Sequence, residues 1–570
     1  MGKITRRELS SDILTQIDDH DLNITKLYGN ISTLGNKFEK LEDRVDSLDI
    51  IINAKDYPTL QESLDTAKNN NNKTIIYIPP GEYLINDTLK IYKNTELILA
   101  KTAIIKKNST SFNVMLLNGD LNAEYDSYEG NSNITIIGGI WDGNFDLNSQ
   151  SNIMSFGKAS NIHLENITYK NVTNNHHLEF SGVTNATVRN CIFTGYKDIT
   201  SDKSRSYCEA IQISTHTKDG FPFFGTYDNS PTTNVLIENY LFKNLATGAG
   251  SHGIGYGSYD SDIKIINNTF ENCSYAGFRS YAMKKVIVSG NIFHNCRSGI
   301  LNSYSPANAS LGRPTSSGSE DIIITDNVFS TDDSVSFTFT HQVYIMGGCT
   351  SSTDYVYAKG IIISNNTFRN IKDKAIRLQI CMDILVTNNI VNGCNGFIYA
   401  DYIDYTNITD NIIKNSTESV INIARGSSQM PSNIVNSFNR IKCNFIENCA
   451  KNAITAAYLY DSFISENMLH KVCTASENST PAISLHNMCK KVSLEANILR
   501  NYQIKCNHGI YISANSEIIT TRLNDMYGMT SAITNNGING SFDGFIMMDN
   551  GTKKKKSIRI QNGEIVIYDN

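Results

Sequence analysis

Apolar and polar residues alternate in short runs that recur along most of this chain. NITIIGGIW at 133, NIHLENITY at 161, NATVRNCIF at 185, DIKIINNTF at 262, KVIVSGNIF at 285, DIIITDNVF at 321, GIIISNNTF at 360 and KVSLEANIL at 491 share one plan. Each has an alternating run, an asparagine, two or three apolar residues and then a polar turn. The matching asparagines Asn268, Asn291, Asn327, Asn366, Asn389, Asn411, Asn444, Asn467 and Asn497 tend to lie 22 or 23 residues apart, with longer gaps where a loop intervenes. A repeat of this length, without helices between the strands, predicts a solenoid. Alternation with period 2 gives strands with one buried face. The predicted fold is all-β, a right-handed single-stranded parallel β-helix. The asparagines are expected at its bends, tolerating left-handed backbone and stacking their amides along the axis.

A different period occupies residues 11–52. Ile17, Ile24, Ile31, Phe38, Val45 and Ile52 fall at one heptad position and mainly leucines at the other, which predicts an N-terminal α-helical coiled-coil stem. Gly29 and Gly35 weaken the seam, His20 sits in it, and the heptads leave the number of chains open. The organisation expected is a stem over 1–52, a capping helix (near 58–68) and first coils over 53–130, the main β-helix over 131–540, and a small β cap over 541–570. The basic run Lys553 to Lys556 reads as a solvated turn in that cap.

Composition narrows the partners. Charged residues make up 19% and the formal net charge is -6, which argues against nucleic acid. No run of 18 apolar residues exists, so no membrane insertion is expected, and MGKITRRELSSD lacks the apolar core of a signal peptide. The expectation is therefore a chain made in the cytoplasm without signal-directed export. The 12 cysteines contain no CxxC pair and read as buried free thiols.

A second strand follows each cassette in the middle of the chain. HHLEF from His176, EAIQI from Glu209, HGIGY from His252, AGFRS from Ala276 and SGILN from Ser298 align without gaps. With Leu178, Ile211, Ile254, Phe278 and Ile300 inward, their neighbours face out. One outward column is then Glu179, Gln212, Gly255, Arg279 and Leu301, and the entrance column is His176, Glu209, His252, Ala276 and Ser298. Insertions at 197–208, 214–233, 303–320 and 330–358 surround these rungs and are expected to form groove walls.

Several segments carry a resemblance. The short helix followed by YIPPGEYLI resembles the opening of the pectate-lyase-superfamily domain of phage tail spikes, over roughly residues 53–540. That resemblance implies a capped β-helix, a homotrimer, an N-terminus attached to phage tail or baseplate proteins, a place on the virion tail, and a bacterial surface polysaccharide or teichoic acid as target. SHGIGYGS, AGFRSY, CEAIQI and GGIWDGN are similar to motifs of polygalacturonase-type glycoside hydrolases. Carried over, His252 supports the acids, Arg279 grips substrate, and Glu209 matches the second of a pair of acids. Cys208 replaces the first acid, His176 an upstream aspartate and Tyr281 a lysine, so the two-aspartate arrangement is absent.

The functional expectation is a tail-spike depolymerase hydrolysing glycosidic bonds, with Glu209 as acid, Glu179 as base and His252 tuning Glu209. Arg279, His176, His177, Gln212, Tyr281 and Tyr256 are the expected substrate contacts. Loop aspartates Asp198, Asp202, Asp219 and Asp228 are alternative acids. No metal or cofactor is expected for a hydrolase; a lyase on this fold calls for Ca²⁺, but no dense acidic cluster marks a site. The alternatives are a non-catalytic polysaccharide-binding fibre or adhesin, and a lyase or teichoic-acid-degrading enzyme.

Overall fold

The computed structural model describes residues 23–37 and 49–540, apart from 256, 312, 333, 336, 427–429, 431–433, 476–478 and 503–505, and the backbone of four strands beyond. The chain is a parallel β-helix. One coil illustrates the plan: strand Ser261–Ile266, an asparagine corner, strand Thr269–Glu271, a turn, strand Ala276–Tyr281, then a tight corner into Lys284–Ser289. Each strand pairs in parallel with its counterpart one coil on, so the cross-section has three faces. The face containing Ala276–Tyr281 carries the site and is called the groove face below.

The predicted asparagines form a buried ladder. From Asn268 to Asn497 each side-chain amide donates to the amide oxygen of the next rung at 2.9–3.1 Å, and the ladder runs one step further, to Asn524. The same oxygens accept a backbone N–H, as in Asn268 N to Asn291 at 2.9 Å. These asparagines do not themselves take the left-handed conformation expected of them. The residue before each one does, including Asn267, Asp326, Cys443, Glu466, Ala496 and Leu523, with φ between 52° and 59°. Left-handed backbone is unfavourable for Ala, Leu and Glu. The corner demands it regardless of side chain, because the next amide must turn inward to meet the ladder.

One step past the ladder, aromatic rings stack inside. Tyr169, Phe193, Phe242, Phe270, Phe293, Phe329 and Phe368 lie 4.6–5.1 Å apart with planes within 10° of parallel. That repeat equals the strand spacing of about 4.8 Å, so register and ring stacking enforce one another. The N-terminal end is closed by helix Leu60–Asp65, whose Thr59 cap accepts from Glu62 N and whose Leu64 is buried in the core.

Three expectations change. Helix 60–65 is shorter than the span from 58 to 68. The heptad seam predicted from the sequence reaches Ile52, yet Ile50–Asn53 is a strand paired with Thr74–Tyr77. Residues 23–37 are helical with Ile24, Leu27, Ile31 and Leu34 exposed, while the rest of the seam lies outside the described residues. Lys555 and Lys556 belong to strand Lys555–Gln561, not to a turn; that strand pairs antiparallel with Phe545–Met548 and Glu564–Asp569. The described cysteines are free thiols, most of them buried.

The ladder makes a prediction. Asn389 donates to Ile363 O and Asn411 and accepts from the backbone and side-chain amides of Asn366. Asn389→Ala leaves those buried groups unpaired and should cost roughly 3 kcal/mol or more. Asn392→Ala, on an exposed position, should stay within about 0.5 kcal/mol. Thermal unfolding followed by circular dichroism measures both; equal melting temperatures would remove the ladder as the source of register.

Candidate functional site

On the groove face, Leu178–Arg189, Glu209–Ser214, Thr247–Gly250, Ala276–Tyr281 and Ile300–Ser303 stack in register. The inward column is Leu178, Ile211, Ala249, Phe278 and Ile300. The outward column is Glu179, Gln212, Gly250, Arg279 and Leu301. This corrects the third rung: 247–250, not 252–256, is the strand. Ala249 replaces Ile254 in the core column, Gly250 replaces Gly255 outside, and Thr247 replaces His252 at the entrance. TGAG has none of the bulky apolar residues that mark a strand, whereas HGIGY imitates one.

Gly250 explains what happens next. Its φ is 139°, and a Cβ there would lie 2.0 Å from the Arg279 carbonyl oxygen. Only glycine lets the chain leave the sheet at this point, and the exit loop folds His252 back over Glu209. The contact expected from the sequence therefore forms by another route: His252 Nδ1 lies 2.8 Å from Glu209 Oε2. Because a carboxylate only accepts, the proton belongs on Nδ1, and Nε2 is left for a ligand.

Glu209 is fully buried. Arg279 Nη1 stands 3.8 Å from its other oxygen, and Arg279 lies among the rings of Tyr207, Tyr275 and Tyr281 at 5.6, 5.3 and 5.5 Å. His176 packs over His252 at 5.9 Å and donates from Nδ1 to the Glu209 carbonyl at 2.7 Å. On these rungs three buried polar atoms lack a hydrogen-bond partner among the described residues: Glu209 Oε1, Gln212 Oε1 and Arg279 Nε. Buried polar atoms are normally paired, so these three are exceptions to the rule.

The electrostatics favour the opposite protonation order to the one expected for the two glutamates. Burial alone pushes Glu209 towards the neutral acid, but His252, His176 and Arg279 outweigh it and hold the carboxyl below its ordinary value. Burial pushes Glu179 up to about 7, against the hydrogen bond from Ser155 Oγ at 2.8 Å. Asn152 Nδ2 also donates to Glu179, at 3.1 Å. His177 is not a groove residue: it is fully buried against Phe193 with Nε2 at the carbonyls of Thr194 and Gly195. The corner before Leu178 turns it inward, which strand alternation does not foresee. Tyr256 lies outside the described residues.

Two pockets, the arms of a furrow, lie along the groove face. One, about 450 Å³, is lined by Gln212, Asp219, His252, Ile254 and Arg313 among others. The other, about 480 Å³, is lined by Tyr275, Arg279, Tyr281, Arg297, Tyr304, His341 and Tyr344. Of the loop aspartates, Asp219 lines the furrow. Asp228 instead pairs with buried Lys158 at 2.5 Å, and Asp198 caps its own loop. The insertions form walls, as expected. Loop 214–233 is pinned by Phe221 and Phe224 on Val114 and Leu117, and by Tyr128 Oη to Pro231 O at 2.8 Å. Tyr207, Tyr275, Tyr304, His341 and Tyr344 escaped the sequence reading, although Tyr207 and Tyr275 directly precede strand-entry segments already singled out. Among the described residues, no three His, Cys, Asp or Glu side chains converge as metal ligands.

Residues 51–301 match the family model described as Rhamnogalacturonase A/epimerase, pectate lyase-like. The chain is 26% identical over 396 residues to plasmin and fibronectin-binding protein A of Streptococcus pneumoniae (strain ATCC BAA-255 / R6), covering 63% of this chain. It spans 50% of that relative's length. Among solved structures, PfbA, a surface adhesin of Streptococcus pneumoniae, is 19% identical with a TM-score of 0.43, covering 91% of this chain and 100% of the other. The tailspike protein of E. coli bacteriophage HK620, in complex with a pentasaccharide, is 12% identical with a TM-score of 0.48, covering 90% and 80%.

The buried site predicts opposing pH effects. Burial lowers His176 and His177 from 6.5 to about 4, so the stability linked to them is complete above pH 6.5 and is lost as pH falls towards 4. Glu179 is raised from 4.5 to about 7, so its contribution is complete below pH 4.5 and is lost as pH rises through 7. Glu179→Gln should therefore gain on the wild type between pH 5 and 8, by on the order of 3 kcal/mol. A constant difference in melting temperature across that range would mean Glu179 is ionised throughout.

Proposed function

We propose that this protein grips an extended bacterial surface polysaccharide along the furrow and hydrolyses a glycosidic bond beside Glu209. The observation that carries the reading is that Glu209 lies between His252, which lines one arm, and Arg279, which lines the other. Tyrosines and arginines along one arm suit stacking and hydrogen bonding to sugar rings. The pectate-lyase-like match over residues 51–301 supports the same substrate class.

Hydrolysis with inversion uses one carboxylate to activate water and one protonated acid to assist the leaving oxygen. Glu209, kept ionised by His252 and Arg279, takes the first role. Glu179, raised to about 7 and so partly protonated near neutral pH, takes the second. His252 holds the Glu209 carboxylate in place and Arg279 neutralises it and orients the polymer. We read the helix ahead of the β-helix as the stem of an oligomeric spike, a trimer on a phage tail, with attachment through residues 1–52.

A binder is the second reading, and one observation favours it. Glu209 has no exposed surface, so it reaches a sugar only if His252 shifts. The pneumococcal relative is itself named for binding.

Incubation with host-wall polysaccharide and mass spectrometry of the products separates the readings. Addition of water to the fragments is expected; an unsaturated end indicates a lyase, and intact polymer that is nevertheless retained indicates a binder. Glu209→Gln and Glu179→Gln should each lower turnover roughly 10² to 10⁴-fold with binding preserved. Arg279→Ala should instead weaken binding. Full turnover in the Glu209 variant with loss in Asp219→Asn would move the chemistry to the loop.

A further inference from the structure

The third face of the β-helix, which holds strand Thr269–Glu271, carries an outward column on the other side of the asparagine corner from the groove's neighbouring face. Followed rung by rung from Ile104 to Ile498, this column has an uncharged residue at every registered position, and most are aliphatic or aromatic. A carboxylate closes it at each end, Glu82 and Asp525. Ile292, Ile390, Ile412 and Met468 are 46%, 50%, 42% and 45% exposed. The corresponding column of the adjoining face is broken by His163, Lys264 and Arg440, so strand propensity alone does not account for the difference.

We propose that this stripe is a subunit interface, and that its occupant is the same stripe of a second copy of the chain. Three observations favour self-association. First, copies related by an axis parallel to the β-helix bring each rung against its own counterpart, and a column with no charge meets itself without like-charge repulsion. Second, much of the charge in the flanking column is already paired within the chain: Lys170 pairs with Asp142 at 3.1 Å, Lys243 with Glu271 at 2.9 Å and Lys414 with Glu447 at 2.9 Å. That is an apolar centre with a polar rim. Third, stripe and flank extend about 60 Å by about 12 Å, on the order of 700 Å² per copy, near the ~800 Å² of a standard stable interface.

The same chain has a second unpartnered apolar face in helix 23–37, where Ile24, Leu27, Ile31 and Leu34 are exposed. A parallel association of that seam holds copies side by side in one register, as the stripe requires. The inference thus rests on the oligomeric reading of the stem, and it leaves the groove face open to solvent and polymer.

Light scattering on the full chain, with a protomer of 63.4 kDa, tests it. The wild type should have a multiple of that mass. Ile292→Lys/Ile390→Lys/Ile412→Lys should dissociate at a protein concentration at least tenfold higher, while Ile287→Lys/Ile323→Lys/Ile362→Lys on the adjoining face should match the wild type. The single change Ile390→Glu, read together with far-UV circular dichroism, covers the case in which the triple variant does not fold; it too should weaken assembly about tenfold. An unchanged mass in the folded stripe variants overturns the stripe, as does a monomeric wild type, which would leave the face to another partner. An unchanged mass in Leu27→Asp/Ile31→Asp sinks the stem reading separately.

Discussion

Parallel pairing in a constant register holds every coil of this protein to the next, and the buried asparagine amide is what keeps that register at one corner. Each amide satisfies the side chain behind it and a backbone N–H at once. A slip of one residue would bury unpaired amides along the whole ladder, at a cost of several kcal/mol. This constraint is strong enough to hold Ala496, Leu523 and Glu466 in left-handed backbone. It also aligns the phenylalanine stack, whose rings repeat at the strand spacing.

A register held so firmly turns the groove face into a platform on which side chains sit at known spacings. Function requires a local exception to that regularity, and Gly250 provides it. The strand stops, the chain passes over Arg279's backbone where no side chain fits, and His252 is returned to Glu209 on the rung before. The wall formed by 214–233 is anchored at several points. Phe221 and Phe224 bury themselves on a neighbouring loop, and Lys158, itself buried, ties Asp228 and Ser230. That wall is therefore built before any ligand arrives, which spares the ordering cost that a mobile loop would impose on binding.

Charge at the site is arranged so that burial acts differently on neighbours. Glu209 has the His252 N–H and the Arg279 guanidinium within reach and is held below its ordinary value, while Glu179, one rung away, has only neutral donors, Ser155 and Asn152, and is pushed towards the acid. His176 and His177 have lost solvent without gaining a carboxylate bond and are held neutral. Paired groups whose environments separate their proton affinities are the physical basis of acid–base work at one pH.

The alternation of apolar residues, the asparagine period and the breaks between cassettes were enough to determine the solenoid, its coil length, the ladder and the rungs that carry Glu209 and Arg279. Those features are local and repeat, so one sequence samples them many times. What the period could not determine were its exceptions. The strand TGAG is nearly silent in apolar pattern, and HGIGY beside it looks more like a strand, yet the backbone clash at Gly250 decides between them. His177 turns inward at a corner where alternation fails, and the left-handed residue stands one place before the asparagine. The direction in which Glu209 and Glu179 titrate depends on how many cations reach each carboxylate, and that is a matter of distances between coils. Only the folded chain, which places residues far apart in sequence within a few ångströms, decides it.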